Sequence, residues 1–251
     1  MTTTIALVTG ANKGIGLEIA RQLGARGGTV LAGARDAARG GEAERELRAG
    51  GADARFVPLD VTDAASVLAA AEAIESEYGR LDILVNNAGI AVRGGPPSAT
   101  GLDAMREIYE TNVFGVITVT NAMLPLLHRA PAARIVNVSS EVGSITAMTD
   151  PANPTSQSPA GLAYPSSKTA LNMITALYAK ELRDTAIKVN AANPGYTKTD
   201  LNGNTGYRSA AEGAEPIVEL ATLGDDGPSG ILWGYLASSA GGKSGYARLP
   251  W

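Results

Sequence analysis

The chain of 251 residues carries a formal net charge of -4, with 45% hydrophobic and 18% charged residues, a balance that belongs to folded globular domains rather than disordered chains. Its sequence pI of about 5.2 leaves no excess of Lys and Arg to neutralise a phosphate backbone, so nucleic acid is not expected as a partner. It has no cysteine and one histidine, His128, which removes disulfides, thiolate chemistry, a His-rich metal centre and a Ser-His-Asp hydrolase.

Taken in chain order, apolar runs rich in β-branched residues at 5–9, 29–32, 55–59, 83–86, 134–138, 188–191 and 231–235 read as strands. Helical patterns at 14–26, 37–49, 64–78, 102–127, 163–184 and 211–223 alternate with them. This alternation predicts parallel βαβ units and one α/β domain over residues 1–251. Its architecture is a doubly wound, Rossmann-type parallel sheet of about seven strands with helices on both faces. The strands are short and nearly all apolar, as a sheet covered on both sides requires. The least regular stretches, 93–100, 144–160, 201–209 and the Gly-rich tail from Ser238 onward, read as loops. His128 closes the helical run before Arg129 and Pro131, where it complements the dipole of a helix C-terminus. No apolar segment approaches the ~18 residues that span a bilayer, and residues 1–10 lack the features of a signal peptide. The expectation is a cytoplasmic protein with no membrane partner.

Between the first strand and the first helix lies Thr9-Gly10-Ala11-Asn12-Lys13-Gly14-Ile15-Gly16. Glycines in such a turn let main-chain N–H groups approach a pyrophosphate, and the helix N-terminus behind them adds partial positive charge. Gly10, Asn12, Lys13, Gly14, Ile15 and Gly16 are therefore candidate cofactor contacts. The second strand closes on Gly33-Ala34-Arg35-Asp36, with Ala34 where NAD binders usually carry an acidic residue for the ribose 2′-hydroxyl. The guanidinium fork of Arg35 suits a 2′-phosphate, and Lys13 is placed to approach the same group, so the pair favours NADP(H). Asp36 reads as the N-cap of the following helix. Asp60, after the third strand, also fits an N-cap.

Tyr164-Pro-Ser-Ser-Lys168 sets a phenol and an ammonium one turn apart on one helical face. A tyrosine of pKa about 10 is a reluctant acid or base at neutral pH, and a neighbouring ammonium is expected to lower that value. Such pairs are common on ordinary helices, so the surrounding motifs decide. Val138-Ser139-Ser140 ends the fifth strand at the carboxyl edge, where open parallel sheets bind ligands. Asn112, in Thr111-Asn-Val-Phe-Gly115, is a poor helix-interior residue and predicts a kink or a water relay. Asn86-Asn87-Ala88-Gly89 ends the fourth strand with polar side chains that need designated partners. Asn193-Pro194-Gly195-Tyr-Thr-Lys-Thr199 follows the sixth strand as a turn.

These motifs, in this order from Thr4 to about Leu223, resemble the short-chain dehydrogenase/reductase family. The spacing Gly10-x3-Gly14-x-Gly16 is similar to its fingerprint and differs from the Gly-x-x-Gly-x-x-Gly of relatives that act on nucleotide sugars. Gly10–Leu17, Ala34–Asp36, Leu59–Asp63 and Asn193–Leu201 resemble the carbonyl reductases within that family. The resemblance implies NADP(H) as cofactor, a small ketone or aldehyde as substrate, and reversible hydride transfer. It implies that Ser140, rather than the neighbouring Ser139, holds the carbonyl oxygen and that Tyr164 is the general acid. By the same resemblance Lys168 binds the ribose and tunes Tyr164, and Asn112 anchors a proton relay. It further implies Asp60 and Val61 at the adenine, Asn87, Ala88 and Gly89 along the cofactor, and Pro194, Gly195, Thr197 and Thr199 around the nicotinamide.

One departure stands out: Tyr164 follows Ser140 by 24 positions, about twice the common family spacing. The extra residues form an insertion near 146–160, ahead of the helix that many relatives use to dimerise, which leaves monomer and homodimer both open. Two other functions are compatible with parts of the pattern. A nucleotide-sugar epimerase or dehydratase shares the Tyr and Lys, but the glycine spacing and the short stretch after Thr199 disfavour it. A non-catalytic NADPH-binding regulator is the other; such proteins commonly lose a catalytic residue, and none is lost here.

Overall fold

A computed structural model describes residues 3–91, 95–157, 161–236 and 244–251. Eight strands form one sheet: β1 (Ile5–Thr9), β2 (Thr29–Ala34), β3 (Asp53–Pro58), β4 (Ile83–Asn86), β5 (Arg134–Val138), β6 (Lys188–Asn193), β7 (Leu232–Leu236) and β8 (Gly245–Leu249). Their order is β3-β2-β1-β4-β5-β6-β7-β8, parallel up to β7, with β8 antiparallel at the edge. The eighth strand corrects the expectation of about seven and of a loop-like tail. Leu249 is 3% exposed and packs with Ala191 and Leu232, so burial of one apolar residue helps hold Gly245–Leu249 along β7. An antiparallel return needs no helical crossover, which is why so little sequence announces it. Residues 237–243 lie outside the described residues.

The helices are α1 (Gly14–Gly24), α2 (Ala37–Ala49), α3 (Ala64–Tyr78), α4 (Leu102–Tyr109), α5 (Gly115–Leu127), α6 (Ile145–Thr149), α7 (Ala163–Glu181) and α8 (Ala210–Ala221). Successive strand residues point to opposite faces, and the two cores follow from that. Leu7, Leu31, Leu84, Ile135 and Val189 pack with Ile74 of α3 and Met123 and Leu127 of α5. Val8, Val30, Val85, Val136 and Ala192 pack on the other face with Ile19 of α1 and Ile217 of α8.

Several local expectations are settled by hydrogen bonds. Asp36 caps α2, accepting from Arg39 N at 2.9 Å. Asp60 does not cap α3; Asp63 does, accepting from Ala65 N at 3.0 Å, while Asp60 closes its own turn by accepting from Thr62 N and Oγ1 at 3.0 and 2.7 Å. The run 102–127 is not one helix, because a single π-helical turn, Glu110–Phe114, separates α4 from α5. The stretch 144–160 holds α6 and a 3-10 turn, Pro154–Gln157; 158–160 and 92–94 lie outside the described residues. His128 is the exposed C-cap residue of α5, its N–H bonded to Leu124 O. Among the described residues no helix is long and apolar enough to cross a membrane, and no cluster of His, Asp and Glu is arranged for a metal.

β1 lies between β2 and β4, so the strand order reverses there and opens a crevice at the carboxyl edge. The Gly-rich turn and the Asn86–Gly89 segment both run into it.

Candidate active site

The crevice begins at Thr9, whose hydroxyl accepts from Asn87 N and Ala88 N, both at 3.0 Å. The Asn87 amide returns two bonds, to Thr9 O at 2.9 Å and Gly10 O at 3.2 Å. The ends of β1 and β4 are thereby locked together. Gly10 (φ +63°) and Gly14 (φ +56°) sit in the left-handed region, where glycine is unstrained. At Gly16 a Cβ would lie 2.4 Å from both Gly10 O and Asn87 Nδ2, so the turn closes only around glycine. No side chain caps α1 at Lys13, which leaves the first N–H groups of that helix directed at the crevice. Asn12 is half-buried in the turn, and Ile15 packs against the core behind it. Such a cradle of main-chain N–H groups has the form that can receive a pyrophosphate.

Beyond it, Arg35 leaves the end of β2 exposed, close enough to Asp60 that its charge helps hold that carboxyl below the usual range, after the larger effect of the Thr62 hydrogen bond. Val61, buried, packs on the start of α5, where a Cβ at Gly115 would meet it at 3.0 Å. Lys13 does not lie free. Its Nζ is 2.7 Å from Asp200 Oδ2, in the segment after β6, with both side chains more than half exposed at 56% and 64%. Exposed pairs of this kind are weak, of order 0–1 kcal/mol, so the lysine is readily released to an anion. Arg39, in the first turn of α2, also acts on Asp200 electrostatically and adds a third cation on this side, one that sequence reasoning missed.

The catalytic candidates meet at the ends of β4 and β5. Ser139 is 2% exposed and donates to Asn172 Oδ1 at 2.6 Å, so its hydroxyl is committed to α7. Ser140 lies within hydrogen-bonding reach of the Tyr164 phenol. Lys168 is buried; its Nζ stands 5.5 Å from the centre of the Tyr164 ring and donates to Val138 O at 2.8 Å. The π-helical turn carries Asn112 inward, fully buried, as such bulges often do at functional sites. Its amide grips Ile90, accepting from Ile90 N and donating to Ile90 O, both at 2.9 Å, and also donates to Ser167 Oγ at 3.1 Å. Ser167 in turn donates to Tyr164 O at 2.7 Å. Asn112 thus ties the segment after Gly89 to the helix bearing Tyr164 and Lys168. A Cβ at Gly89 would lie 3.3 Å from Asn112 Oδ1 and 3.8 Å from Lys168 Nζ, so the chain at Gly89 passes close to these groups.

The electrostatics differ from the sequence expectation. The Tyr164 phenol is pushed up to about 12 by burial, offset in part by Ser140. Lys168 is pushed down to about 8, also by burial. The ammonium was expected to lower the tyrosine. In this structure Lys168 is directed to Val138 O, and desolvation, which opposes both charged forms, outweighs their mutual effect. Tyr164 is therefore a firmly protonated donor at neutral pH.

On the substrate side, Asn193 does more than its place in the turn suggested. Its Oδ1 accepts from Glu141 N and Gly195 N, each at 3.2 Å, and its Nδ2 donates to Tyr235 O at 2.7 Å. One side chain thus joins the Ser140 segment, the Pro194–Gly195 turn (Gly195 φ +72°) and β7. Thr197 is buried and donates to Pro194 O at 3.3 Å, and Thr199 begins a 3-10 turn closed by Asn202. A Cβ at Gly14 would touch Thr199 at 3.5 Å, so this segment reaches the cradle. Between β4 and β5, the neighbours Asn86 and Asn137 bond each other at 2.8 Å and extend to Thr120 and Thr175 at 3.1 and 2.9 Å. Only the first of these four was marked by a motif.

Comparison with known proteins agrees with this geometry. The family described as short chain dehydrogenase matches residues 4–209. A short-chain dehydrogenase, anuI, of Penicillium roqueforti is 40% identical, covering 89% of this chain and 90% of that protein. Carbonyl reductase [NADPH] 1 of Rattus norvegicus is 36% identical, covering 90% of this chain and 94% of its own. The crystal structure of NADPH-bound carbonyl reductase from chicken fatty liver superposes with a TM-score of 0.81 at 32% identity, over 93% of this chain and 97% of that one. The Gly-rich cradle, the Ser140–Tyr164–Lys168 cluster and these likenesses lead to one conclusion: the chain belongs to the short-chain dehydrogenase/reductase family of oxidoreductases and is carbonyl-reductase-like.

Proposed function

We propose that this protein is an NADPH-dependent carbonyl reductase that transfers hydride to a ketone or aldehyde, reversibly, with Tyr164 as general acid. The observation that carries this reading is the meeting of Ser140, Tyr164 and Lys168 at the strand edge beside the cradle. The cradle fits a dinucleotide, since Gly16 has no room for a Cβ, Gly10 and Gly14 hold positive φ, and no side chain caps the N-terminus of α1. Gly10, Asn12, Gly14, Ile15 and Gly16 would hold the pyrophosphate, with Asp60 and Val61 beside the adenine. Arg35 and Lys13, aided by Arg39, would meet a 2′-phosphate, and no carboxylate at Ala34 opposes one. Asn87, Ala88, Gly89, Pro194, Gly195, Thr197 and Thr199 would flank the nicotinamide end.

When bound, NADPH supplies the hydride; the protein supplies orientation and charge stabilisation. The Ser140 hydroxyl donates to the substrate oxygen and fixes it beside Tyr164. As negative charge develops on that oxygen, the Tyr164 phenol gives up its proton to it. The Lys168 ammonium would hold the ribose hydroxyls and offset the negative charge left on Tyr164. Asn112 holds Ile90 and Ser167 in place and anchors the relay that returns a proton.

The test is NADPH oxidation by the purified protein against a panel of ketones, quinones and aldehydes. Turnover of at least one class, with NADPH preferred over NADH, is expected. Tight NADPH binding without turnover on the whole panel would replace this reading with that of a non-catalytic regulator.

A further inference from the structure

Arg208, in the segment after β6, is a buried charged residue that the reaction does not use. Its guanidinium lies over the Tyr235 ring at 3.8 Å from the ring centre, and 5.6 Å from that of Tyr246. These two tyrosines face each other across β7 and β8, with ring centres 5.9 Å apart. Arg208 Nη2 donates to the Tyr246 hydroxyl at 2.9 Å and to Glu212 O, in the first turn of α8, at 2.6 Å. The stem of the same side chain meets the Pro194–Gly195 turn. A Cβ at Gly195 would lie 2.8 Å from Tyr235 Cδ1 and 2.9 Å from Arg208 Cδ, so the turn rests directly on the stacked pair. The main chain joins the same parts. Arg208 and Thr197 form an isolated parallel bridge, the Arg208 N–H donates to Tyr196 O at 3.2 Å, and Arg208 O accepts from Lys198 N at 2.8 Å.

Among the described residues, Arg208 Nε is buried without a hydrogen-bond partner. A buried cation with an unpaired donor is destabilising, and an uncharged side chain of similar length would fill the same space without that penalty. What a guanidinium adds is a rigid plane with fixed donor directions, suited to holding several segments in one register. We propose that Arg208 is a positioning residue for hydride transfer. Pinned by Tyr246 and Glu212 O and stacked on Tyr235, it supports the Pro194–Thr197 turn, and through that turn sets the nicotinamide in line with Ser140 and Tyr164. This rests on the carbonyl-reductase reading above, in which the turn flanks the nicotinamide end. It gives the edge pair β7–β8, which supplies both tyrosines, a part in orienting the reaction.

The test uses Arg208→Met, which keeps the apolar stem, Arg208→Lys, which keeps a cation at its end, and Tyr246→Phe, which removes only the hydroxyl that Arg208 grips. Each is compared with wild type in steady-state kinetics on one ketone with NADPH, and in the emission spectrum of bound NADPH, which reports the surroundings of the nicotinamide. A misplacement of about 1 Å costs up to about 100-fold in rate. In Arg208→Met, kcat should therefore fall about tenfold or more while KM for NADPH changes less than about threefold, and the bound-NADPH emission should shift. Arg208→Lys should recover part of the rate. Tyr246→Phe should lower kcat in wild type and add no further loss in the Arg208→Met background. Wild-type kcat and wild-type emission in Arg208→Met overturn the proposal. So does a loss of kcat that Arg208→Lys does not relieve and that an equal loss of NADPH affinity accompanies. If Arg208→Met does not fold, Tyr246→Phe decides by the same two readouts. Absence of turnover by wild type on every ketone overturns the reductase reading instead. An emission that still shifts in Arg208→Met then keeps Arg208 as the support of the turn, and an unshifted one removes it.

Discussion

The two halves of the carboxyl edge are built by different means. On the β1–β4 side the site is main chain: glycine conformations, uncapped N–H groups and the single side chain of Asn87 closing the turn. On the β5–β6 side it is side chain. Asn193 bonds Glu141 N, Gly195 N and Tyr235 O, and Tyr196 and Tyr207 pair ring to ring at 6.1 Å, so separate segments are joined there by their side chains. The difference teaches where variation is tolerated. A main-chain turn that closes around Gly16 has no room for a Cβ there, whereas an edge joined by side chains can be altered one residue at a time.

Substitutions in the first half should act on cofactor binding, whatever carbonyl is offered. Gly16→Ala has the largest expected effect of this kind. Its Cβ would sit 2.4 Å from Gly10 O, and overpacking of that order costs ~1–3 kcal/mol, so NADPH affinity by fluorescence titration should fall by up to about 100-fold. Arg35→Ala should come next. Losing a charge-assisted contact of ~1.5–3 kcal/mol should weaken NADPH by at least about tenfold and NADH little. Equal loss for both would remove Arg35 from the 2′-phosphate. In the second half, Asn193→Ala releases the Ser140–Glu141 segment from the Pro194–Gly195 turn. Loss of hydrogen bonds worth ~1 kcal/mol should lower kcat/KM for the carbonyl several-fold while NADPH affinity changes less. If NADPH affinity fell more than kcat/KM for the carbonyl, the division between the halves would fail.

The smallest effect expected is on the pH profile. The free enzyme loses the Lys168 ammonium as pH rises through about 8, while Tyr164, pushed up to about 12, keeps its proton. A profile of kcat/KM for NADPH should therefore decline above about pH 8, since that parameter reports free-enzyme groups. The same burial makes a stability prediction. Between about 8 in the folded state and its ordinary value in the unfolded state, Lys168 binds more protons when unfolded, so its contribution to stability rises with pH through that window.

The sheet and the cradle were legible because short-range rules decide them. Alternating patterns placed β1, β4, β5, α2 and α3 at their observed bounds, and glycine spacing marked the turn. What the motifs left undecided shares a cause, which is competition between distant groups. Asp60 and Asp63 both suit a cap, and only the Thr62 turn decides between them. The choice between Ser139 and Ser140 depends on Asn172, which lies 33 positions later. Lys13 is turned aside by Asp200, 187 positions away, and β8 depends on where Leu249 can be buried. Desolvation of Tyr164 and Lys168 likewise comes from packing that no motif spells out.

The most direct measurement sets wild type beside Tyr164→Phe on one ketone that wild type reduces, with NADPH affinity titrated on the same samples. The substitution removes only the hydroxyl that reaches Ser140. Turnover should fall by about 10²–10⁴-fold, the usual contribution of a positioned acid, with NADPH still bound. A Tyr164→Phe protein that turns over at near the wild-type rate would contradict the assignment of Tyr164 as the acid.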